Sequence, residues 1–240
     1  MMAFFSYYGS KFRGYKHYPH PHHDVIIEPF AGAAAYACQL SGCRRVVLVE
    51  KNPVIAGIWK YLKKVTWQEI LSLPDLEEDQ QVSDLKVCQE AKWLIGYWVN
   101  KGCSKPAQTA SKWMRDERYS SQFWGPRKRK VIANQIPFIR NWKIIEGDYT
   151  LAPDIKATWF VDPPYIDKGY AYACNGDDID YAHLGEWCRT RKGQVIVCEQ
   201  EGAEWLPFEK LKTLKANHAT GVTKEVIWVK DNRCPPRTLF

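Results

Sequence analysis

Short apolar runs, each closed by a polar residue or a turn, recur along the chain at the length of β-strands. These runs cover residues 24–28, 44–50, 142–146, 159–161, 194–198 and 225–229. Stretches with helical spacing or helix-capping residues lie between them, at 53–64, 87–98 and 181–191. Strands that alternate with helices form mostly parallel sheets, so the pattern predicts an α/β domain.

The first two predicted strands each end in an acid, Glu28 and Glu50. Pro29-Phe-Ala-Gly-Ala33 follows the first strand and leads into a helix-forming alanine run. A tight turn of small residues lets a ligand approach the backbone, and an acid about twenty residues later accepts from ribose hydroxyls in nucleoside-binding folds. No Walker sequence or Gly-x-Gly-x-x-Gly motif is present. The turn therefore favours a nucleoside cofactor, with a plain strand-end acid as the alternative for Glu50.

Asp162-Pro-Pro-Tyr165 closes the strand that contains Trp159. The prolines fix the backbone and donate no N–H, so the loop is stiff and presents free carbonyls. Ligands of open α/β sheets bind at the carboxyl ends of strands. A carboxylate, carbonyls and a flat ring there suit a planar base with an exocyclic amino group. The alternative is a strand-ending turn with a buried tyrosine.

Residues 101–145, here called the basic block, hold eleven Lys and Arg against Asp116 and Glu117. Its net charge is +9, whereas the whole chain carries +7, so the remainder is −2. Basic groups beside aromatic rings are typical of nucleic-acid binding, and a solvated helix face is the alternative. The candidate DNA-binding residues are Lys112, Arg115, Trp124, Arg127, Lys128, Arg129 and Lys130.

Composition excludes several classes of protein. No run reaches the eighteen or so apolar residues of a membrane span, and the N-terminus lacks the features of a signal peptide, so we expect a cytoplasmic protein. The eight cysteines form no Cys-x-x-Cys pair, and the histidines at 17, 20, 22 and 23 lack partners for a zinc site, so no metal is expected. The long polar loop 166–180 is a candidate substrate lid.

Four motifs together resemble the Dam-like N6-adenine DNA methyltransferases. They are Tyr7-Tyr-Gly-Ser-Lys11, Glu28-Pro-Phe-Ala-Gly-Ala33, Glu50-Lys-Asn52 and Asp162-Pro-Pro-Tyr165. Their order along the chain is also that of the family, and the match spans most of the chain. The resemblance implies S-adenosylmethionine as methyl donor and a mostly parallel, seven-stranded methyltransferase sheet flanked by helices. It places the catalytic domain at 1–82 and 146–240, with an inserted helical target-recognition segment at 83–145.

The resemblance also implies roles for residues. The candidate catalytic residues are Asp162, Pro163, Pro164 and Tyr165, with Asp162 and the Pro163 carbonyl accepting from the amino group and Tyr165 stacking on a flipped base. The candidate cofactor residues are Tyr7, Tyr8, Gly9, Lys11, Pro29, Phe30, Ala31, Gly32, Ala33, Glu50, Lys51, Asn52, Asp148, Tyr149 and Asp162. His183 resembles a family histidine and receives no role.

The chain departs from the family pattern in three places. Ala34 stands where the cofactor loop has a second glycine, and Tyr7 replaces the commoner tryptophan. The inserted segment resembles no recognition module that we identify, so neither the DNA sequence that is recognised nor the oligomeric state follows from the sequence. N4-cytosine or RNA-adenine methylation remains the alternative chemistry. Glutamine methylation of a protein would favour Asn at 162, and a non-catalytic nucleic-acid-binding module is the alternative of another class.

Overall fold

Seven strands form one sheet in the computed structural model, which describes residues 1–12, 14–77, 79–116, 120–166, 179–211 and 225–231. The order across the sheet is β3-β2-β1-β4-β5-β7-β6. Neighbours from β3 to β5 run parallel, and β7 is antiparallel to both β5 and β6. The strands are β1 Val25–Glu28, β2 Arg45–Glu50, β3 Lys143–Glu146, β4 Ala157–Val161, β5 Gly193–Gln200, β6 Glu209–Lys210 and β7 Glu225–Asp231.

The predicted fold is confirmed: a mostly parallel, seven-stranded sheet of the methyltransferase type with helices against it. All six predicted strands are present, and the two-residue β6 is an addition that carries no apolar pattern. The described helices are α1 Ala35–Leu40, α2 Pro53–Lys64, α3 Trp67–Ser72, α4 Gln89–Val99, α5 Lys112–Arg115, α6 Pro126–Gln135 and α7 Tyr181–Thr190.

Local chemistry explains where the second and third helices begin. The side chain of Asn52 accepts from the Val54 N–H, and Pro53 occupies the first helical position, where a missing N–H costs nothing. Thr66 and Glu69 form a reciprocal capping box at the start of α3. The first cap matters most for function, because it fixes the chain directly after Glu50.

Both faces of the sheet are buried, and alternate residues of each central strand serve opposite faces. Ile26 and Phe160 belong to the larger core cluster, which includes residues of α1, α2, α4 and α6. Ile27 and Trp159 belong to the second cluster, which includes residues of α7. This double burial is why the central strands read as continuous apolar runs.

The inserted segment contributes to the larger core cluster. Leu94 and Ile95 of α4 and Ile132 of α6 are fully buried in the same cluster as Trp59 of α2. Trp98 of α4 donates its indole N–H to the Phe4 carbonyl at 2.8 Å. The segment therefore packs against the sheet-covering helices, and its position relative to the sheet is fixed by burial.

No helix in the described part of the chain is both long and apolar enough to cross a bilayer. Most of the candidate lid, residues 167–178, lies outside the described residues.

Candidate functional site

A cleft of about 910 Å³, including the space open to solvent, lies at the carboxyl ends of β1, β2 and β4. The structure brings all fifteen candidate cofactor residues to its wall: Tyr7, Tyr8, Gly9, Lys11, Pro29, Phe30, Ala31, Gly32, Ala33, Glu50, Lys51, Asn52, Asp148, Tyr149 and Asp162.

The catalytic candidate Pro164 also lines the cleft, and so do six residues outside the candidate sets: Ser10, Glu28, Ala34, Ala35, Phe160 and Ile179. Five of them adjoin or lie within the predicted motifs, so extending each motif by one or two residues would have found them. Ile179 lies near the end of the candidate lid, residues 166–180, and no motif singled it out as a cofactor residue.

The turn after β1 is held from two sides. The Gly32 N–H donates to Glu50 Oε2 at 2.8 Å, and the Gly32 carbonyl accepts from the Trp59 indole N–H at 2.8 Å. Gly32 has φ +45°, and a Cβ there would lie 3.3 Å from the Tyr7 ring. Both the backbone conformation and the close approach of Tyr7 therefore favour glycine at this position.

Glu50 holds the start of α2 as well as this turn. Its Oε1 accepts from the Asn52 N–H at 2.8 Å. Burial raises the pKa of Glu50, and the N–H groups of Asn52, Gly32 and Lys51 oppose that shift. Because each carboxylate oxygen accepts more than one hydrogen bond, Glu50 keeps acceptor capacity for hydroxyls of a ligand in the cleft.

Glu28, at the end of β1, is a second acid in the cleft wall and is 2% exposed. Its Oε1 accepts from the Ala37 N–H at 2.7 Å. Burial raises the pKa of Glu28 to about 8, partly offset by the Ala37 N–H, and the charge of Asp162 adds to the rise. Burial therefore favours the neutral form of Glu28, and a cationic ligand beside it would favour the ionised form.

Aromatic rings close another part of the wall. Phe30 stacks on Tyr149 with ring centroids 5.3 Å apart. The Tyr149 hydroxyl is 2.7 Å from Nδ1 of His183, in the first turn of α7. His183, to which the sequence assigned no role, thus supports a ring in the cleft wall.

Asp162 follows β4 and faces the cleft beside the Lys11 ammonium, with Nζ 3.2 Å from Oδ1. Burial raises the pKa of Asp162 to about 6, and Lys11 opposes the rise. The Pro164 carbonyl accepts from the Tyr181 hydroxyl at 2.5 Å. Pro163 is buried and does not line the cleft.

Tyr165 does not line the cleft; it contacts Lys11 and Glu225 instead. Its ring is absent from the cleft wall, and the Lys11 ammonium lies 4.5 Å from the ring centroid. Its hydroxyl donates to Glu225 Oε1 at 2.7 Å and accepts from Lys11 Nζ at 2.5 Å. Tyr165 is therefore part of a polar network behind the loop, which the sequence could not indicate because Lys11 and Glu225 lie far from it in the chain.

The candidate DNA-binding residues fall into two groups. Lys112, Arg115, Arg127 and Lys130 are exposed, and Lys128 is half-buried with its ammonium 3.8 Å from the centroid of the Trp98 ring. Burial lowers the pKa of Lys128 to about 8, and the charges of Lys101 and Arg127 lower it further.

Two of these candidates are corrected by the structure. Trp124 is 3% exposed, and its indole N–H donates to the Pro74 carbonyl at 2.8 Å, so it is a core residue. Arg129 is 8% exposed and forms an ion pair with Asp75 at 2.5 Å. A buried, paired guanidinium and a buried indole cannot contact DNA without unpacking α6.

The inserted segment touches the cleft-lining N-terminal residues. The Tyr8 N–H donates to the Cys103 carbonyl at 3.1 Å, and the Gly102 N–H donates to Ser6 Oγ at 3.0 Å. The start of the basic block is therefore adjacent to the cleft.

No protein-family model matches the chain, and no curated protein matches it. Among solved structures, a conserved hypothetical protein of Streptococcus pyogenes aligns with TM-score 0.36 and 11% identity, over 89% of this chain and 88% of that one. The provisionally named methyltransferase yhhF from Escherichia coli aligns with TM-score 0.36 and 11% identity, over 87% of this chain and 76% of that one. The SAM-dependent methyltransferase NGO1261 from Neisseria gonorrhoeae aligns with TM-score 0.32 and 12% identity, over 90% of this chain and 63% of that one. Scores this low establish neither common ancestry nor common activity.

Proposed function

We propose that this chain transfers a methyl group from S-adenosylmethionine to the N6 amino group of an adenine flipped out of DNA. The observation that carries the proposal is the shared cleft: the acid of the Asp-Pro-Pro-Tyr loop and the acid that ends β2 line one cavity. A nucleoside cofactor held by one acid would then face an amino group held by the other.

The residues of the cleft fit the cofactor. Glu50 suits ribose hydroxyls, and the turn around Gly32 lacks the side chain that would block approach to the backbone. Glu28 and Asp162 supply acidic groups, which suit the positive sulfonium and ammonium groups of S-adenosylmethionine. When bound, the cofactor supplies an electrophilic methyl group on sulfur.

The chain's own contribution to the reaction is orientation and electrostatics. Asp162 accepts a hydrogen bond from the adenine amino group and so directs the nitrogen lone pair toward the methyl group. Transfer would join the methyl carbon to the amino nitrogen as its bond to sulfur breaks; the neutral thioether would be the leaving group, and the proton lost from the nitrogen would pass to solvent. Positioning and a preorganised negative charge stabilise the transition state, and no covalent intermediate with the enzyme is needed.

The basic block supports a polyanionic substrate. Lys112, Arg115, Arg127 and Lys130 are exposed cations within a segment of net charge +9. Such groups neutralise backbone phosphates without reading sequence. The amino group of a paired adenine is inaccessible to the cleft, so the base must leave the stack before transfer.

The test is to incubate the protein with methyl-labelled S-adenosylmethionine and separate pools of duplex DNA, single-stranded DNA and RNA. Digestion and mass spectrometry then identify the labelled nucleoside. We expect N6-methyl-2′-deoxyadenosine from DNA. Label on cytosine or only on RNA would assign one of the alternative substrates, and nucleic-acid binding without any label would assign the non-catalytic module.

A further inference from the structure

Glu225, the first residue of β7, lies 7% exposed behind the Asp-Pro-Pro-Tyr loop. Its Oε1 accepts from the Tyr165 hydroxyl at 2.7 Å and pairs with Lys11 Nζ at 3.1 Å. The same ammonium lies 3.2 Å from Asp162 Oδ1. One lysine therefore connects two carboxylates, and the tyrosine of the loop connects to one of them.

We infer that Glu225 is a positioning residue for methyl transfer, which anchors Lys11 and Tyr165 and through them fixes the Asp162 carboxylate at the cleft wall. The inference rests on the proposed function, because it assigns Asp162 the task of accepting from the target amino group. No motif in the sequence pointed to Glu225.

The cost of burial argues that this acid has a task. A buried carboxylate is unfavourable unless it is paired and hydrogen-bonded, and a strand entering the core accepts an apolar residue at lower cost. Glu225 is retained with two partners, and both partners belong to the cleft or to its loop. An acid that only stabilised β7 would have no need to contact Lys11.

Lys11 supplies the positive charge where negative groups converge. A carboxylate oxygen of Asp162, one of Glu225 and the Cys198 Sγ all lie within 4.8 Å of one another. The Lys11 ammonium contacts both carboxylates. Without it, two carboxylates would repel each other in a site of low dielectric constant. Lys11 is therefore shared, and Glu225 sets how closely it approaches Asp162.

The charges around Asp162 determine the direction in which its pKa should move when the network is altered. Burial raises the pKa of Asp162 to about 6; the Lys11 charge lowers it, Glu225 raises it, and hydrogen bonds from Lys11 and Tyr165 lower it. The other titratable groups coupled electrostatically to Asp162 are Tyr18, Glu28, Cys198 and Glu199. Removing the Glu225 charge should therefore lower the pKa of Asp162, whereas removing the Lys11 charge should raise it.

The experiment measures single-turnover methylation of duplex DNA between pH 5 and 9 for the wild type, Glu225→Gln and Lys11→Met. Transfer requires ionised Asp162, so the acidic limb of the rate profile reports its pKa. We expect the limb of Glu225→Gln to move to lower pH, with a plateau reduced roughly tenfold by the weakened anchor. We expect the limb of Lys11→Met to move to higher pH.

One control and one alternative variant keep the inference falsifiable. Glu186→Gln makes the same chemical change at an exposed acid of α7 and should leave the profile unchanged. A Glu225→Gln enzyme with an unmoved limb and an undiminished plateau would overturn the inference. So would a reduced plateau with an unmoved limb, because that result describes a structural role alone. If Glu225→Gln does not fold, Tyr165→Phe removes the hydrogen bond between Tyr165 and Glu225 and leaves the Glu225 charge in place. Because the Tyr165 hydroxyl lowers the pKa of Asp162, its loss should move the acidic limb to higher pH.

A measurement without methyl transfer separates this inference from the proposed function. Carboxyl-carbon NMR titration of aspartate-labelled protein, with the Asp162 signal assigned by Asp162→Asn, gives its pKa directly. Opposite shifts in Glu225→Gln and Lys11→Met would support the network even if the wild type methylated no nucleic acid. No shift in Glu225→Gln would reject the network even in an active enzyme.

Discussion

The Glu50 carboxylate, at the end of β2, accepts a hydrogen bond at 2.8 Å from the N–H of Gly32, in the turn after β1. The bond joins the ends of two parallel strands that pair side by side in the sheet. A second bond, from the Asn52 N–H, joins the same carboxylate to the start of α2. One side chain thus shapes the cleft and also faces it, which couples cofactor binding to the geometry of the turn.

Replacing Glu50 should weaken binding of S-adenosylmethionine. Glu50→Ala removes charge-assisted hydrogen bonds and should cost roughly 1–3 kcal/mol of binding free energy. Glu50→Gln keeps an acceptor of the same shape and should cost less. Isothermal titration calorimetry measures both, with Glu146→Gln, at the end of the neighbouring β3, as the matched exposed acid. Equal affinities for Glu50→Ala and the wild type would remove Glu50 from the site.

Ala34 is the one non-glycine residue with positive φ in the part of the chain that the structure describes, at +46°. An L-residue in this conformation destabilises the fold by roughly 1–2 kcal/mol. Glycine avoids this strain, but it loses more conformational entropy on folding, which offsets about half of the gain. Ala34→Gly should therefore stabilise the fold by up to about 1 kcal/mol and raise Tm by about 2–4 °C. The neighbouring Ala33→Gly should lower Tm instead. Thermal unfolding followed by circular dichroism decides between these outcomes.

The exposed cations of α6 should carry DNA affinity, whereas the buried one should carry stability. Changing Arg127 and Lys130 to glutamine should reduce the slope of log affinity against log salt by about 0.9 for each phosphate that is no longer neutralised. Arg129→Gln breaks the pair with Asp75 and should lower Tm without changing that slope. Fluorescence anisotropy over a salt series measures the slope.

The control for this series is a double change of equal charge outside the basic block, Lys64→Gln with Lys156→Gln, both exposed in the structure. If the control flattens the salt dependence as much as the changes in α6, binding follows net charge alone and the block is not the interface.

Much of the fold could be predicted because its signals are local. The central strands are buried on both faces, so they appear as apolar runs, and Asn52-Pro53 marks the start of α2 through its own chemistry. The cleft could be predicted because parallel strands place their carboxyl ends together, which brings Glu28, Glu50 and Asp162 to one edge.

The rest depends on contacts between residues far apart in the chain. Arg127 to Lys130 are four consecutive cations, and only the packing of α6 against α3 buries Arg129 beside Asp75. Trp124 was a candidate for stacking because it lies beside a run of basic residues, but its indole N–H donates to the Pro74 carbonyl and its ring is in the core. The Tyr165 hydroxyl likewise lies between two charged partners, Lys11 and Glu225, which are far from it in the chain.

The most direct test of the central claim is single-turnover transfer of labelled methyl groups to duplex DNA by the wild type and Asp162→Ala. The wild type should form N6-methyladenine, and Asp162→Ala should slow transfer by about 10²–10³, because it removes a preorganised charge at the reacting amino group. Calorimetry on the same samples should show that both proteins still bind S-adenosylmethionine. Transfer by Asp162→Ala within a few-fold of the wild-type rate would contradict the account.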